Sequence, residues 1–264
     1  MLHLIHTILD WIYPPRCMSC RNPLPLQDKP GRSLWLCSYC KNLFQPLDVP
    51  GCGICSTPVD AGVTVCASCN GKGFSFVHNR SAFAYEDLVR DLIHDIKFRR
   101  RRHVAQGLGR LWASGFLGPF LDSINSVNSI KTAAILVPLP MHKAKRRQRG
   151  FDQAQILASS IGEVTGIKAI SILERTQDTP PQSGLHPRQR IENVKGAFRI
   201  KPEFTGKIAG QTIVLVDDIY TTGASLDECA RVLKSGGASD VYAMTLAIAV
   251  RKGGQSRNID DFSM

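Results

Sequence analysis

Between positions 213 and 225 the chain runs Ile-Val-Leu-Val-Asp-Asp-Ile-Tyr-Thr-Thr-Gly-Ala-Ser. Four consecutive aliphatic residues predict a strand buried in a parallel sheet. That strand delivers two adjacent carboxylates, Asp217 and Asp218, and a loop of Thr221, Thr222, Gly223, Ala224 and Ser225 then opens a helix. A helix N-terminus turns free backbone N–H groups toward an anion, and Gly223 lets the anion approach the main chain. Paired carboxylates nearby accept hydrogen bonds from vicinal sugar hydroxyls. A phosphate cradle and a diol grip a few residues apart fit a ribose 5-phosphate. The Asp-Asp strand of P-loop ATPases is the competing pattern, but the G-x-x-x-x-G-K-[ST] segment that accompanies it does not occur in this sequence. A purely structural strand and turn would leave two carboxylates at a buried strand end, which is costly without a ligand or metal.

Outward from this stretch, strand and helix signals alternate from Phe74 to Ala249. SAFAY (81–85), AAILVPLP (133–140), AISIL (169–173), TIVLVDD (212–218) and DVYAMTLAIA (240–249) read as strands. EDLVRDLIHDIKF (86–98) carries Leu88, Leu92, Ile93 and Ile96 on one helical face. Further helices are expected over Val104–Phe116, over 151–166 with a stop at Gly166, and over 224–237 with glycines at its C-terminal end. This alternation predicts a doubly wound α/β sheet, whose ligands sit at the carboxyl ends of the strands.

The first quarter of the chain is built differently. Eight of the nine cysteines form four CxxC pairs: Cys17/Cys20, Cys37/Cys40, Cys52/Cys55 and Cys66/Cys69. Each pair is a knuckle presenting two thiolates, and two knuckles close a tetrahedral Zn²⁺ site. Disulfides would need an oxidising compartment, and the chain shows no export signal. Thioredoxin-like chemistry uses one CxxC, not four in series. Iron–sulfur ligation is a weaker match to evenly paired knuckles in a Pro/Gly-rich segment. Two structural zinc ions are therefore expected. Sequential pairing (17, 20, 37, 40 and 52, 55, 66, 69) is the simplest, and interleaved pairing stays open. Few large apolar residues lie between the knuckles, so this segment is expected to need metal to fold. Cys229, on a predicted helix, reads as a core residue. The boundary falls at Gly71-Lys72-Gly73, giving units 1–72 and 73–264.

Composition bounds the rest. With 264 residues, 43% hydrophobic and 21% charged, the chain is neither disordered nor fibrous. The formal charge is +11, of which +9 lies beyond residue 72, so an anionic partner is expected. The apolar start MLHLIHTILDWIY lacks a basic lead and a cleavage site, and Pro14-Pro15 ends it too early to span a bilayer. Leu2, Ile5, Leu9 and Ile12 predict a short amphipathic helix docked on the protein body, with a membrane-surface anchor as the alternative. A soluble, cytoplasmic protein without membrane insertion is the expectation.

The segment VLVDDIYTTGAS (214–225) closely resembles the phosphoribosyl diphosphate (PRPP) signature of type I phosphoribosyltransferases. Around it stand VPLP (137–140), RRQRGFDQ (146–153), Arg175, Thr179, Gln182, Ser183, Leu185, Arg190, Asn193 and GAF (196–198). Together with the four knuckles, they resemble the ComF (competence protein F) family over nearly the whole chain. The resemblance implies a double zinc ribbon followed by a type I phosphoribosyltransferase domain. It implies that Asp217 and Asp218 grip ribose, that Thr221–Ser225 hold the 5-phosphate, and that Mg²⁺ bridges ribose and diphosphate. It also implies a link to natural transformation or the use of external DNA, with single-stranded DNA and a helicase-like or other protein of the uptake machinery as partners. One departure stands out: Asp152 occupies a position where the family usually has Asn, which adds negative charge near a diphosphate site.

Two basic clusters, Lys97/Arg99/Arg100/Arg101/Arg102 and Lys143/Lys145/Arg146/Arg147/Arg149, hold ten of the 33 basic residues. The second follows the VPLP strand, where phosphoribosyltransferases hold diphosphate, and Arg146 and Arg149 are assigned there. The remaining eight are assigned to a nucleic-acid backbone, with a solvated basic face as the plain alternative. The polar segment 175–195 resembles the loop that closes over PRPP; otherwise it is a connector. Three functions follow: a transferase displacing diphosphate from C1 of ribose with a nitrogen nucleophile, a DNA-handling module with PRPP as regulatory ligand, or a structural adaptor. No residue is assigned as general base, and the acceptor stays open.

Overall fold

The computed structural model describes residues 16–24, 36–47, 51–115, 134–178 and 187–249. The N-terminal helix expected over 2–12, Phe116, and Thr179, Gln182, Ser183 and Leu185 lie outside the described residues.

In chain order the elements are α1 (Ser38–Leu43), β1 (Asn79–Ala84), α2 (Asp87–Phe98), α3 (Arg102–Gly115), β2 (Ala134–Pro138), α4 (Lys143–Arg149) and α5 (Gln153–Thr165). They continue with β3 (Leu173–Arg175), α6 (Pro187–Glu192), β4 (Phe198–Ile200), β5 (Thr212–Tyr220), α7 (Ala224–Ser235) and β6 (Asp240–Ile248). Four strands form a parallel sheet in the order β1-β6-β5-β2. The two central strands, β5 and β6, are almost wholly buried, as their apolar runs require. Alternation along them divides the core in two. Val214, Val216, Tyr242 and Met244 pack with α2, α3 and α5 on one face. Ile213, Leu215, Val241 and Ala243 pack with α7 and the β3–β4 pair on the other.

The helices follow their sequence signals. Val89, Leu92, Ile93 and Ile96 form the buried stripe of α2, and Gly166 closes α5 in the left-handed conformation at φ 77°. Two expectations need correction. AISIL is not a strand of the sheet: Ala169 makes a single parallel bridge to Leu136, and the chain then leaves the edge so that Leu173–Arg175 pairs antiparallel with β4. And β5 does not stop at Asp218. Its ladder with β6 runs on to Tyr220, because Ile219 and Tyr220 are β-formers that continue the strand.

The cysteine segment straddles the β1 edge of the sheet. Cys17, Met18, Leu24, Leu36, Cys40 and Phe44 belong to the core with α2 and α3. Cys52, Cys55 and Cys69 belong to the opposite core with α7. Between them the chain crosses the edge, where the Leu47 amide donates to the Ala82 carbonyl at 2.9 Å and the Asn79 amide to the Ile54 carbonyl at 2.7 Å.

Candidate functional site

The four knuckles gather in chain order. Sγ atoms of Cys17, Cys20, Cys37 and Cys40 lie within 4.8 Å of one another, and so do those of Cys52, Cys55, Cys66 and Cys69. This selects the sequential pairing. Cys20–Cys37 and Cys55–Cys66 are 3.7 Å apart, the edge of a tetrahedron whose centre lies about 2.3 Å from each sulfur. All nine cysteines are free thiols. At Cys17 and Cys52, burial raises the pKa but backbone N–H donors of the knuckle outweigh it, leaving each at about 7. Burial and the neighbouring sulfurs push Cys40 up to about 12 and Cys55 to about 11. Four crowded thiols ionise together only around a cation. The donor set and geometry fit two structural zinc ions.

The second candidate site is the end of β5. Adjacent side chains of a strand leave on opposite faces, so Asp217 and Asp218 look different ways. Asp218, buried, receives Lys97 Nζ at 2.9 Å from α2 and Gln153 Nε2 at 3.3 Å from α5. Asp217 keeps some accessible surface, and its Oδ1 accepts from the Asp218 amide at 2.8 Å. The protein packed around it, then the Asp218 charge, hold its carboxyl well above the usual range. Beyond Tyr220 the chain turns through Thr221 and Thr222 into Gly223, at φ 77°, the residue that precedes α7. A hollow here is lined by Asp217, Tyr220, Thr221, Gly223, Ala224 and Ser225. A side chain at Gly223 would meet the Tyr220 hydroxyl at 2.5 Å, so the ring closes the floor of the loop. Tyr220 in turn lies against the second cysteine site: burial, then the sulfurs of Cys55, Cys69, Cys66 and Cys52, raise its pKa.

Cations ring this end of the sheet. Arg149 donates to Gln153 Oε1; burial lowers its pKa, and Asp218 and Asp152 oppose that. Lys145, one helical turn earlier and half-buried, is lowered by burial and then by Arg175. Arg175, from β3, sits 5.3 Å from the centre of the Phe198 ring, and Asp217 is among the charges acting on it. Lys143, Arg146 and Arg147 point outward on the same short helix.

Asp152 caps α5, its Oδ1 accepting from the Gln155 amide at 3.2 Å and its Oδ2 from the Met141 amide at 3.3 Å. Asn offers one acceptor oxygen for the same work. The basic cluster of residues 97–102 divides. Lys97 is at Asp218, and Arg101 is drawn to Asp95, whereas Arg99, Arg100 and Arg102 are exposed. Lys97, assigned from sequence to a nucleic-acid backbone, reaches Asp218; its one local signal was its place four positions after Ile93 beside the buried stripe of its helix, which does not name that partner. Lys145 carries the same kind of signal, four positions before Arg149. The bracing of the loop by Tyr220 has no signal in the sequence. Cys229 is fully buried on α7, with its thiol pushed up by burial.

Residues 8–70 match the family model of the double zinc ribbon domain, and residues 147–263 that of the phosphoribosyl transferase domain. Competence protein F of Haemophilus influenzae is 27% identical over 238 residues, 89% of this chain and 97% of that protein. DNA utilization protein YhgH of Escherichia coli (strain K12) is 28% identical over 235 residues, 88% of this chain and 96% of that protein. Competence protein ComFC of Bacillus subtilis (strain 168) is 27% identical over 254 residues, 87% of this chain and 93% of that protein. Among the described residues, no helix is long and apolar enough to cross a membrane.

Proposed function

Because this chain belongs to the ComF family, a double zinc ribbon joined to a phosphoribosyltransferase-type domain, we propose that it binds PRPP with Mg²⁺ at the end of β5 and serves the uptake or use of external DNA in the cytoplasm. One observation carries the ligand reading: two carboxylates and a glycine-containing helix entrance share one strand end, ringed by Lys97, Lys145, Arg149 and Arg175. Asp217 and Asp218 hold the ribose hydroxyls, and the backbone N–H groups of Thr221–Ser225 hold the 5-phosphate. Arg149 and Lys145 face the diphosphate and stabilise the charge that gathers on it as C1–O opens; Arg146 stands at the outer rim. Mg²⁺, if held beside the Asp217 and Asp218 carboxylates, would supply positive charge to offset that of the departing diphosphate. In transfer, the C1–O bond to diphosphate breaks, a nitrogen of the acceptor bonds C1, and the nitrogen proton passes to solvent.

The DNA role is supported by the names of the relatives, competence protein F and DNA utilization protein. Single-stranded DNA is its partner, with a helicase-like protein of the uptake machinery beside it. A second reading keeps PRPP as a regulatory ligand. In both readings the Lys97–Asp218 pair must open for a sugar to be gripped. Calorimetric titration of Mg²⁺-PRPP into the zinc-loaded protein tests the site. Micromolar binding that Asp217→Asn/Asp218→Asn abolishes, with folding intact, is expected; no binding by the native chain overturns it. Diphosphate release with a nucleobase or oligonucleotide acceptor separates transfer from regulation.

A further inference from the structure

The last turn of α2 faces two ways. Lys97 reaches inward to Asp218, while Phe98 stands 69% exposed on the outside. Phe98 is no stray core residue, because the buried stripe of this helix is Val89, Leu92, Ile93 and Ile96. Its ring lies 4.4 Å from that of His94, one turn back, at 35°, so the helix presents a two-ring platform. Cations surround the platform. Arg99, Arg100 and Arg102 follow it directly, all exposed. Arg21 comes across from the first cysteine site and sits 3.9 Å from Asp95. A cleft of about 460 Å³ opens between the two parts, lined by Ser19, Cys20 and Arg21 on the ribbon and by Leu88, His94, Asp95 and Arg99 on or beside α2. That is within the range of small-ligand sites. Of the two carboxylates that line the cleft, Asp95 is met by Arg99 (3.0 Å), Arg101 and Arg21, and the exposed Asp91 by Arg90 at 3.4 Å.

Exposed aromatic side chains, beside a track of arginines and a cleft, are what a single strand needs: bases stack, and phosphates follow the charge. A duplex hides its base faces and has no use for the platform. We infer that single-stranded DNA docks here, with bases stacking on Phe98 and His94 and the backbone running over Arg21, Arg99, Arg100 and Arg102. This rests on the DNA role proposed above and locates it where the zinc ribbon meets α2, one helical turn from the proposed PRPP site.

Fluorescence anisotropy of labelled oligo(dT) of about 15 nucleotides tests this on the full zinc-loaded chain. Phe98→Ala is expected to weaken binding roughly tenfold, and Phe98→Trp to keep it, because each stacked base contributes substantially. Arg99→Ala/Arg100→Ala/Arg102→Ala should lower the slope of log K against log salt by about 2, at about 0.7 per phosphate contact. Two equivalents of zinc and an unchanged melting temperature certify each variant as folded. If Phe98→Ala and the triple variant bind as the native chain does, the DNA lies elsewhere and this inference falls, while the DNA role stands. If the native chain binds no oligo(dT) at low salt, or prefers duplex, both fall; the PRPP titration is independent of either result.

Discussion

The two cysteine sites have the same four-thiolate ligand set on paired CxxC knuckles, yet they are fastened to the protein in different ways. The first leans on helices: Met18 packs at α3, where a side chain at Gly107 would meet its sulfur at 2.8 Å, and Cys20 is exposed. The second is bolted to the sheet by buried hydrogen bonds. Ser56 Oγ donates to the Asn79 carbonyl (2.6 Å), Asn79 Nδ2 to the Cys55 carbonyl (3.2 Å) and Ser81 Oγ (2.9 Å), and Ser81 meets Thr245 at 2.7 Å. It also backs Tyr220, and through that ring Gly223. Identical metal chemistry thus serves two ends. One site braces the outside of a helical layer, and the other supports the loop proposed to hold phosphate.

Replacing one ligand in each site gives the largest expected contrast. Cys55→Ser should lose one zinc equivalent, unfold at least 10 °C earlier (about 3 kcal/mol or more) and bind PRPP more than tenfold more weakly. Cys20→Ser should also lose one equivalent yet hold PRPP affinity within about twofold. Metal assay, melting and calorimetry read all three; equal effects on PRPP would erase the distinction.

Smaller changes sharpen it. Asn79→Ala should cost about 2–3 kcal/mol in chemical denaturation, because it strands buried partners. At the first site Gly107→Ala should stay within about 1 kcal/mol, as the flexible Met18 end shifts and alanine favours the helix. Gly223→Ala forces a Cβ into φ 77° and against Tyr220, at about 1–3 kcal/mol, and PRPP affinity should fall about tenfold.

The smallest effect is in pH. Asp217 faces the core that contains the second cysteine site, and burial and then Asp218 raise its pKa. Gripping a diol requires the carboxylate, so PRPP affinity should be full above the raised value and fall as pH drops through it. Asp217→Asn, lacking the carboxylate, should bind PRPP weakly at every pH and show no such limb. The free protein behaves oppositely. A carboxyl raised on folding loses stability as pH rises from the ordinary carboxylate range through the raised value, so Asp217→Asn should stabilise the unliganded fold at neutral pH. Calorimetry and melting across pH check both signs.

The sheet, its flanking helices and the knuckles were legible because each rests on local chemistry: apolar runs, helical spacing and paired thiols. Residues 213–225 also gave their loop. What could not be read was set by distance. Nothing local tells that Lys97 meets Asp218, more than a hundred residues on, or that Tyr220 bridges a cysteine site and a glycine. Nor does composition reveal that a basic run splits, with Lys97 and Arg101 turned inside and Arg99, Arg100 and Arg102 outside. The end of β5 was misread because a pair of carboxylates looks like a stop, whereas Ile219 and Tyr220 keep the ladder going.

The crossing of the β1 edge has a consequence for biosynthesis. Among the described residues β1 pairs in the sheet only with β6, and about 150 residues separate them. At the pace of translation, β1 waits roughly ten seconds or longer for its partner, and an unpaired strand edge is open to association with other chains. The cysteine segment leaves the ribosome first. Its Leu47 amide and Ile54 carbonyl are the groups that bond β1 from outside, so a ribbon already loaded with metal can shield the nascent strand. Zinc supply during synthesis is then expected to raise the share of this protein that reaches the folded state, apart from anything the metal does afterwards.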